Sequence, residues 1–317
     1  MYFPYVYGRG SELLALRNSC KTYFSDRTVI PVIEPVNLNP DRLARCLEDL
    51  GKENCHAVVI LNPYQGELTN DVDKKTWFEK IHALLLKHPS LIPAFQCRSN
   101  IPLATINSFI QFYPNRAVAL LYLNSGLNDS DMKILSGIKN IRFHISLQRK
   151  MTAAHMKLLP RSKSVHIVDY FSKQLRNADY SGQETFADAH KNFKDSGIGF
   201  GDYTVIGSAM QLGGGPPGAV AIHMTYKKPE NAEIWIEHFV SDETDINLGS
   251  VGGKYLEALA KLVGSHRVRR NEFGDNEAID AFLADHAIGH YPGLGKNKER
   301  QIHHHIALMH RVLNEIP

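Results

Sequence analysis

VIPVIEP (29–35), NPDRLARCLEDLG (39–51) and HAVVILN (56–62) follow one another as an apolar run, an amphipathic stretch and a second apolar run. Pro40 after Asn39 suits the first turn of a helix, and Gly51 suits its end. The two runs are almost continuously apolar, as strands are when packing layers cover both of their faces. The same unit recurs downstream. After a helix predicted over 72–87 come LIPAFQC (91–97), AVALLYLN (117–124), NIRFHISL (140–147) and SVHIVDYF (164–171). Helical stretches follow them through Ile106, Phe109 and Ile110, then at 129–135, 153–159 and, after a longer loop, 184–194. Six strand–helix units in a row predict a parallel sheet with right-handed crossovers. Their short spacing favours a closed barrel. No G-x-G-x-x-G follows the first strand, which excludes the dinucleotide-binding sheet.

Beyond residue 200 the pattern changes. YTVIGSA (203–209), AVAIHMTYK (219–227) and AEIWIEHFV (232–240) are strand candidates without intervening helices. They are separated by a glycine-proline segment, with Gly213, Gly214 and Gly215 as a hairpin loop, and by the turn at 228–231. Strands joined so tightly pair antiparallel. Helices are then expected at 253–263, 276–286 and 298–316. The expected class is therefore α/β: a TIM-barrel-like (β/α) barrel, imperfect, with a C-terminal β meander and a helical tail. The expected domains are 1–264, barrel-like, and 265–317, a helical extension packed on it.

The composition, 43% hydrophobic and 22% charged over 317 residues, excludes disordered and fibrous classes. A net charge of +3 names no electrostatic partner. The N-terminal MYFPYVYGRG lacks the pattern of a signal peptide, and no apolar run approaches the ~20 residues of a membrane span. Cys20, Cys46, Cys55 and Cys97 show no C-x-x-C spacing and are expected as reduced, packed thiols. A cytoplasmic protein with no membrane partner is expected.

In a parallel barrel, chemistry gathers at the C-terminal ends of the strands. Those ends carry Glu34, Asn62, Gln96, Arg98, Asn124, His144 and Asp169. Glu34 and Asp169 are candidate acid–base residues, with Gln96 and Arg98 holding an anionic ligand. Any barrel rim is polar, so the alternative is ordinary strand ends. Arg9, between Gly8 and Gly10, suits either a carboxylate or phosphate contact or a structural ion pair. Asp202 is a third catalytic candidate, with His223 and His238 on later strands, although a histidine inside a strand is more often a core residue. Gly252 and Lys254, in GSVGGK (249–254), open a helix where an anion would be favoured. The glycine spacing and Tyr255 depart from a P-loop. Arg267, Arg269, Arg270 and the run His303, His304 and His305 lie in the tail; the arginines suit a solvated or partner-facing surface. The three histidines point in different directions around a helix and make no metal site. No cofactor follows from these residues.

Certain residues together resemble a family. They are YFPY (2–5), GRG (8–10), ELLAL (12–16), IPVIEPV (30–36), GFGDYT (199–204), AIH (221–223) and HFVSD (238–242). This set, covering most of the chain to about residue 264, resembles the bacterial and phage "beta protein" family. Within that family it resembles the branch usually encoded beside a second small protein with a PD-(D/E)xK nuclease-like fold. The resemblance implies a barrel-like fold and a mobile-element, phage-defence or toxin–antitoxin setting. It brings no established reaction. The functional expectation is an interaction protein acting with that nuclease-like partner, nucleic acid being reached through the partner and a further copy of the chain being a second possible associate. The alternative is a barrel hydrolase or phosphodiesterase acting on a phosphate-bearing small molecule or nucleotide.

Overall fold

In the computed structural model, which describes residues 1–69, 72–210, 215 and 217–315, the chain divides into two compact units. The first comprises residues 1–9, 20–169 and 189–203; the second takes 10–19, 170–188 and 204 onward. Residue 264, the expected boundary, falls inside a long helix.

The first unit is a closed barrel of eight parallel strands. Seven run in sequence: β1 (Tyr2–Val6), β2 (Val32–Ile33), β3 (Ala57–Ile60), β4 (Leu91–Cys97), β5 (Val118–Tyr122), β6 (Ile141–Leu147) and β7 (Ser164–Ile167). The next strand, β8 (Gln183–Ala187), belongs to the second unit, and β9 (Gly199–Asp202) closes the barrel between β7 and β1. Helices occupy the crossovers: α2 (Asp41–Lys52), α3 (Lys75–Lys87), α4 (Leu103–Phe112), α5 (Asp129–Ser136) and the short α6 (Ala153–Leu158). The helix α1 (Gly10–Tyr23) joins β1 to β2. In α2, Leu43, Leu47 and Leu50 are buried, one apolar stripe at helical spacing, as are Trp77, Ile81 and Leu85 in α3.

The barrel was therefore expected, but two of its strands were not. β1 is short, contains Pro4 and has no strand-like flanks. β9 is GFGD, a composition that otherwise signals a turn. A Cβ at Gly199 would meet the Phe3 ring, and one at Gly201 would meet the Phe3 carbonyl. Glycine is what lets β9 lie this close to β1. β9 closes the ring of eight strands, and the insertion of β8 before it is where the chain departs from a regular β/α repeat, the imperfect barrel that was expected. The helix expected over 184–194 is instead β8 followed by the four-residue α7 (Ala189–Asn192).

The second unit holds a three-stranded antiparallel sheet in the order β10–β11–β8, where β10 is Ala221–Lys227 and β11 is Ile234–Val240. Residues 203–209, expected as its first strand, form no strand. Gly213, Gly214 and Ile316 lie outside the described residues. The helices α8 (Val251–Phe273), α9 (Glu277–Ile288) and α10 (Leu294–Leu313) form the expected tail. Ile222, Met224, Tyr226, Leu259, Phe273 and Phe282 make one buried cluster.

β10 is an edge strand, and α10 covers its free backbone. Gln301 Oε1 accepts the His223 N–H at 2.9 Å, and the His304 ring donates from Nε2 to the Thr225 carbonyl at 2.7 Å. His305 shares a hydrogen bond with the Thr225 hydroxyl, and His303 faces Glu277. The histidine run is thus buried structure, a device against edge pairing. All four cysteines are buried thiols outside any disulfide, and the Cys20 and Cys55 sulfurs lie 2.6 Å apart.

Gly201→Ala is expected to destabilise the protein by about 1–3 kcal/mol or more, because the added methyl would overlap the Phe3 carbonyl, a backbone group held in the strand. Chemical denaturation measures it, and an unchanged midpoint would show that β9 does not close the barrel this tightly.

Candidate functional site at the barrel mouth

Strand register decides which side chains share the barrel interior. Tyr5 pairs with Val32, Val32 with Val58, and Phe3 with Gly201. Since successive residues of a strand face opposite ways, Glu34, Gln96 and Tyr203 belong to the same inner face as Tyr5. Glu34 follows β2 directly and its N–H bonds the Val6 carbonyl at 2.8 Å. Its side chain is 1% exposed, among the least exposed carboxylates of the chain. The Tyr5 hydroxyl donates to Glu34 Oε2 at 2.5 Å, and Gln65 Nε2 donates to the same oxygen at 3.0 Å. Gln96 Nε2 donates to the Tyr5 hydroxyl at 3.1 Å. Asn62 braces Gln96 through both backbone groups, at 2.8 and 3.0 Å.

Two oxygens of this network, Glu34 Oε1 and Gln96 Oε1, are sealed from solvent and have no hydrogen-bond partner among the described residues. A buried acceptor without a donor costs about 1–3 kcal/mol. The pair suits a protonated Glu34, or a ligand that brings N–H or O–H groups. Burial pushes the Glu34 carboxyl above its ordinary value, against the opposing pull of Tyr5, Gln65, Gln96 and Arg98. Arg98 lies over the Tyr64 ring at 4.1 Å, and burial lowers its pKa. The Tyr203 ring sits 4.7 Å from Tyr5 and 6.2 Å from Tyr7. Burial raises its hydroxyl pKa, with Glu34 and Asp169 contributing in the same direction and Gln148 opposing. The arrangement is a buried carboxyl within a collar of tyrosines, with one guanidinium beside it. Chemically, a carboxyl held in this way is suited to donating or accepting a proton beside a fixed positive charge.

No protein-family model matches the chain, and no curated protein is similar to it.

The mouth unites Glu34, Asn62, Gln96, Arg98 and, two residues beyond β7, Asp169. Arg9 lies at the same end of the barrel, after β1. The neighbouring Gly8 has a φ of +62°, and a Cβ there would stand 3.4 Å from the Glu34 carbonyl oxygen. Asp202 is a different case. It lies next to Tyr203 on the chain and so faces the outside, where the Tyr2 hydroxyl donates to its Oδ1 at 2.7 Å. Tyr2 there packs on Phe200. His144 also faces outward, bonded to the Tyr122 hydroxyl at 2.8 Å. Neither shares the inner face with Glu34.

The expected anion site in the second unit is occupied by structure. The Lys254 ammonium is buried and donates to the Gly218 carbonyl at 2.7 Å and the Asp245 carbonyl at 2.5 Å. It pins two loops, which removes it as an anion ligand. Gly252 lies against Tyr291, whose ring a Cβ would meet at 3.2 Å. Tyr5, Tyr64, Gln65 and Tyr203 were not singled out from the sequence. The one signal was the alternation of aromatics in YFPYVY, which is visible only once 2–6 is known to be a strand.

The raised pKa of Glu34 carries a sign. Folding favours its protonated form, so this contribution is complete below the ordinary value of 4.5 and is lost as pH rises through the folded-state value. Glu34→Gln keeps an acceptor for Tyr5 and does not titrate. Its melting temperature is expected to gain on that of the wild type as pH rises from about 4 to 8. Parallel melting curves would place Glu34 in water.

Proposed function

We propose that the chain is a barrel-like interaction protein that acts in the cytoplasm with a nuclease-like partner encoded beside it, in phage defence or a toxin–antitoxin pair. The family resemblance motivates the reading. The observation that carries it is an apolar surface on α3 and α4. Phe78 stacks on His82 with ring centres 5.3 Å apart, and His82 meets Phe112 at 5.2 Å. Phe112 and Leu86 beside them are each 57% exposed. Clustered exposed apolar side chains mark binding surfaces, and aromatic anchors carry most of the energy of such contacts. Nucleic acid would be reached through the partner. Arg269 is held by Glu237 and Glu272, and Arg270 by Asp275, which leaves them poorly placed as phosphate ligands. No helix among the described residues is long and apolar enough to cross a membrane.

A second reading rests on the mouth: a hydrolase or phosphodiesterase for a phosphate-bearing small molecule or nucleotide. Its support is the sealed Glu34 carboxyl with an unpartnered oxygen beside Arg98. A protonated Glu34 would donate to a leaving oxygen, Arg98 would face the phosphate charge, and the tyrosines would flank a base. Asp169 would assist from the rim.

Co-expression with the nuclease-like neighbour is expected to give one co-eluting species by size-exclusion chromatography. Light scattering on the chain alone reads self-association. Phe112→Asp with Leu86→Asp is expected to weaken the complex by about 2 kcal/mol or more without lowering the melting temperature. Two separately eluting wild-type species would end the partner reading. The enzyme reading predicts turnover of bis(p-nitrophenyl) phosphate that falls about 100-fold or more in a folded Glu34→Gln variant, which keeps the acceptor for Tyr5 but loses the acid. Absent turnover, or turnover indifferent to Glu34, counts against it.

A further inference from the structure

In the second unit, three polar side chains form a line across the sheet. His223 on β10 stands directly opposite His238 on β11. Their Nδ1 atoms are 2.8 Å apart, and His238 Nε2 lies 3.3 Å from Glu184 Oε1 on β8. The hydrogen-bond pattern fixes the tautomers. A carboxylate only accepts, so His238 Nε2 carries a hydrogen and donates to Glu184. The neutral His238 ring then has a lone pair at Nδ1, and His223 must donate to it from its own Nδ1. That leaves the lone pair of His223 on Nε2, which has no hydrogen-bond partner among the described residues. The Phe171 and Tyr180 rings pack on His223 with centres at 5.1 and 4.5 Å and keep its plane fixed. The Lys298 ammonium is near enough to disfavour a charged His223.

Packing alone does not call for this line. Two apolar residues at a directly opposed pair of a sheet would stabilise it without burying imidazoles. A carboxylate that orients one imidazole, which in turn orients a second with a free ring nitrogen, is the arrangement of an activated base.

We propose that His223 is the nucleophilic residue of a second site, which takes ester- or anhydride-like acyl substrates, that His238 is the base that takes its proton, and that Glu184 positions His238. In the acyl step His223 Nε2 attacks the carbonyl carbon and the bond to the leaving oxygen breaks. The His223 Nδ1 proton passes to His238 Nδ1, and the resulting imidazolium is held by the Glu184 carboxylate. Lys298 faces the negative charge that develops on the substrate. The site uses no residue of the barrel mouth.

Diethyl pyrocarbonate is a suitable acyl probe, with adducts quantified per histidine by peptide mass spectrometry and the exposed His290 as internal reference. In the intact protein His223 is expected to react at least as fast as His290 despite its packing. Glu184→Gln is expected to slow His223 about tenfold relative to His290, with Glu184→Asp restoring most of the rate. Circular dichroism melts on the same samples separate this from unfolding, since unfolding would expose His223 and speed its labelling. An unlabelled His223 in the wild type overturns the proposal, as does a folded Glu184→Gln variant that labels at the wild-type rate.

Discussion

The barrel depends on one close approach, that of β9 to β1. Eight parallel strands close only if the last meets the first, and here they meet through Phe3 packed against Gly199 and Gly201. Phe3 also packs edge-on to Phe143 of β6, so the same ring that tolerates only glycine on one side fills the interior on the other. A side chain on either glycine would hold the two strands apart and leave two sheet edges exposed. Closure also fixes register: once Phe3 opposes Gly201, Tyr5 and Tyr203 must face inward.

The mouth follows from that register. A carboxyl at 1% exposure is an expensive component unless it is neutral or well bonded, and Glu34 has one satisfied oxygen and one that is not. The neighbouring donors come from β1, the loop after β3, and β4, three elements that meet only in the closed barrel. Two backbone hydrogen bonds from Asn62 hold Gln96 in place, so the site is set by the ladder rather than by a mobile loop. Asp202 shows the force of the same rule in the opposite sense. One residue of difference along β9 sends Tyr203 into the barrel and Asp202 to its outside, where it holds Tyr2.

The second unit solves a different problem. Its sheet is open, and β10 would present free backbone groups at its edge. Gln301 and His304, three residues apart on α10, bond the β10 backbone where a further strand would have paired, and His305 beside them holds the Thr225 hydroxyl. Burial holds the His304 ring down to about 3, so it stays neutral. His223 and His238 are different, because their line ends on a nitrogen that no described residue bonds.

Composition and period alone determined the barrel class, the positions of most strands and the polar identity of the rim, because strands buried on both faces must be apolar and their ends must turn polar. They also fixed β10, β11 and the helical tail. They did not reveal β9, since GFGD has glycine where a strand normally has side chains, and the reason lies in Phe3, far away in the chain. Nor did they reveal β8, whose polar QETFA carries no strand signal of its own and becomes a strand by pairing with β11. Which rim residues converge was decided only in three dimensions: Glu34 with Tyr5 and Gln96, but not with Asp202, and Lys254 bound to carbonyls instead of free for an anion. A sequence states which side chains are present and their local period. Register across strands, set by long-range packing, decides which of them meet.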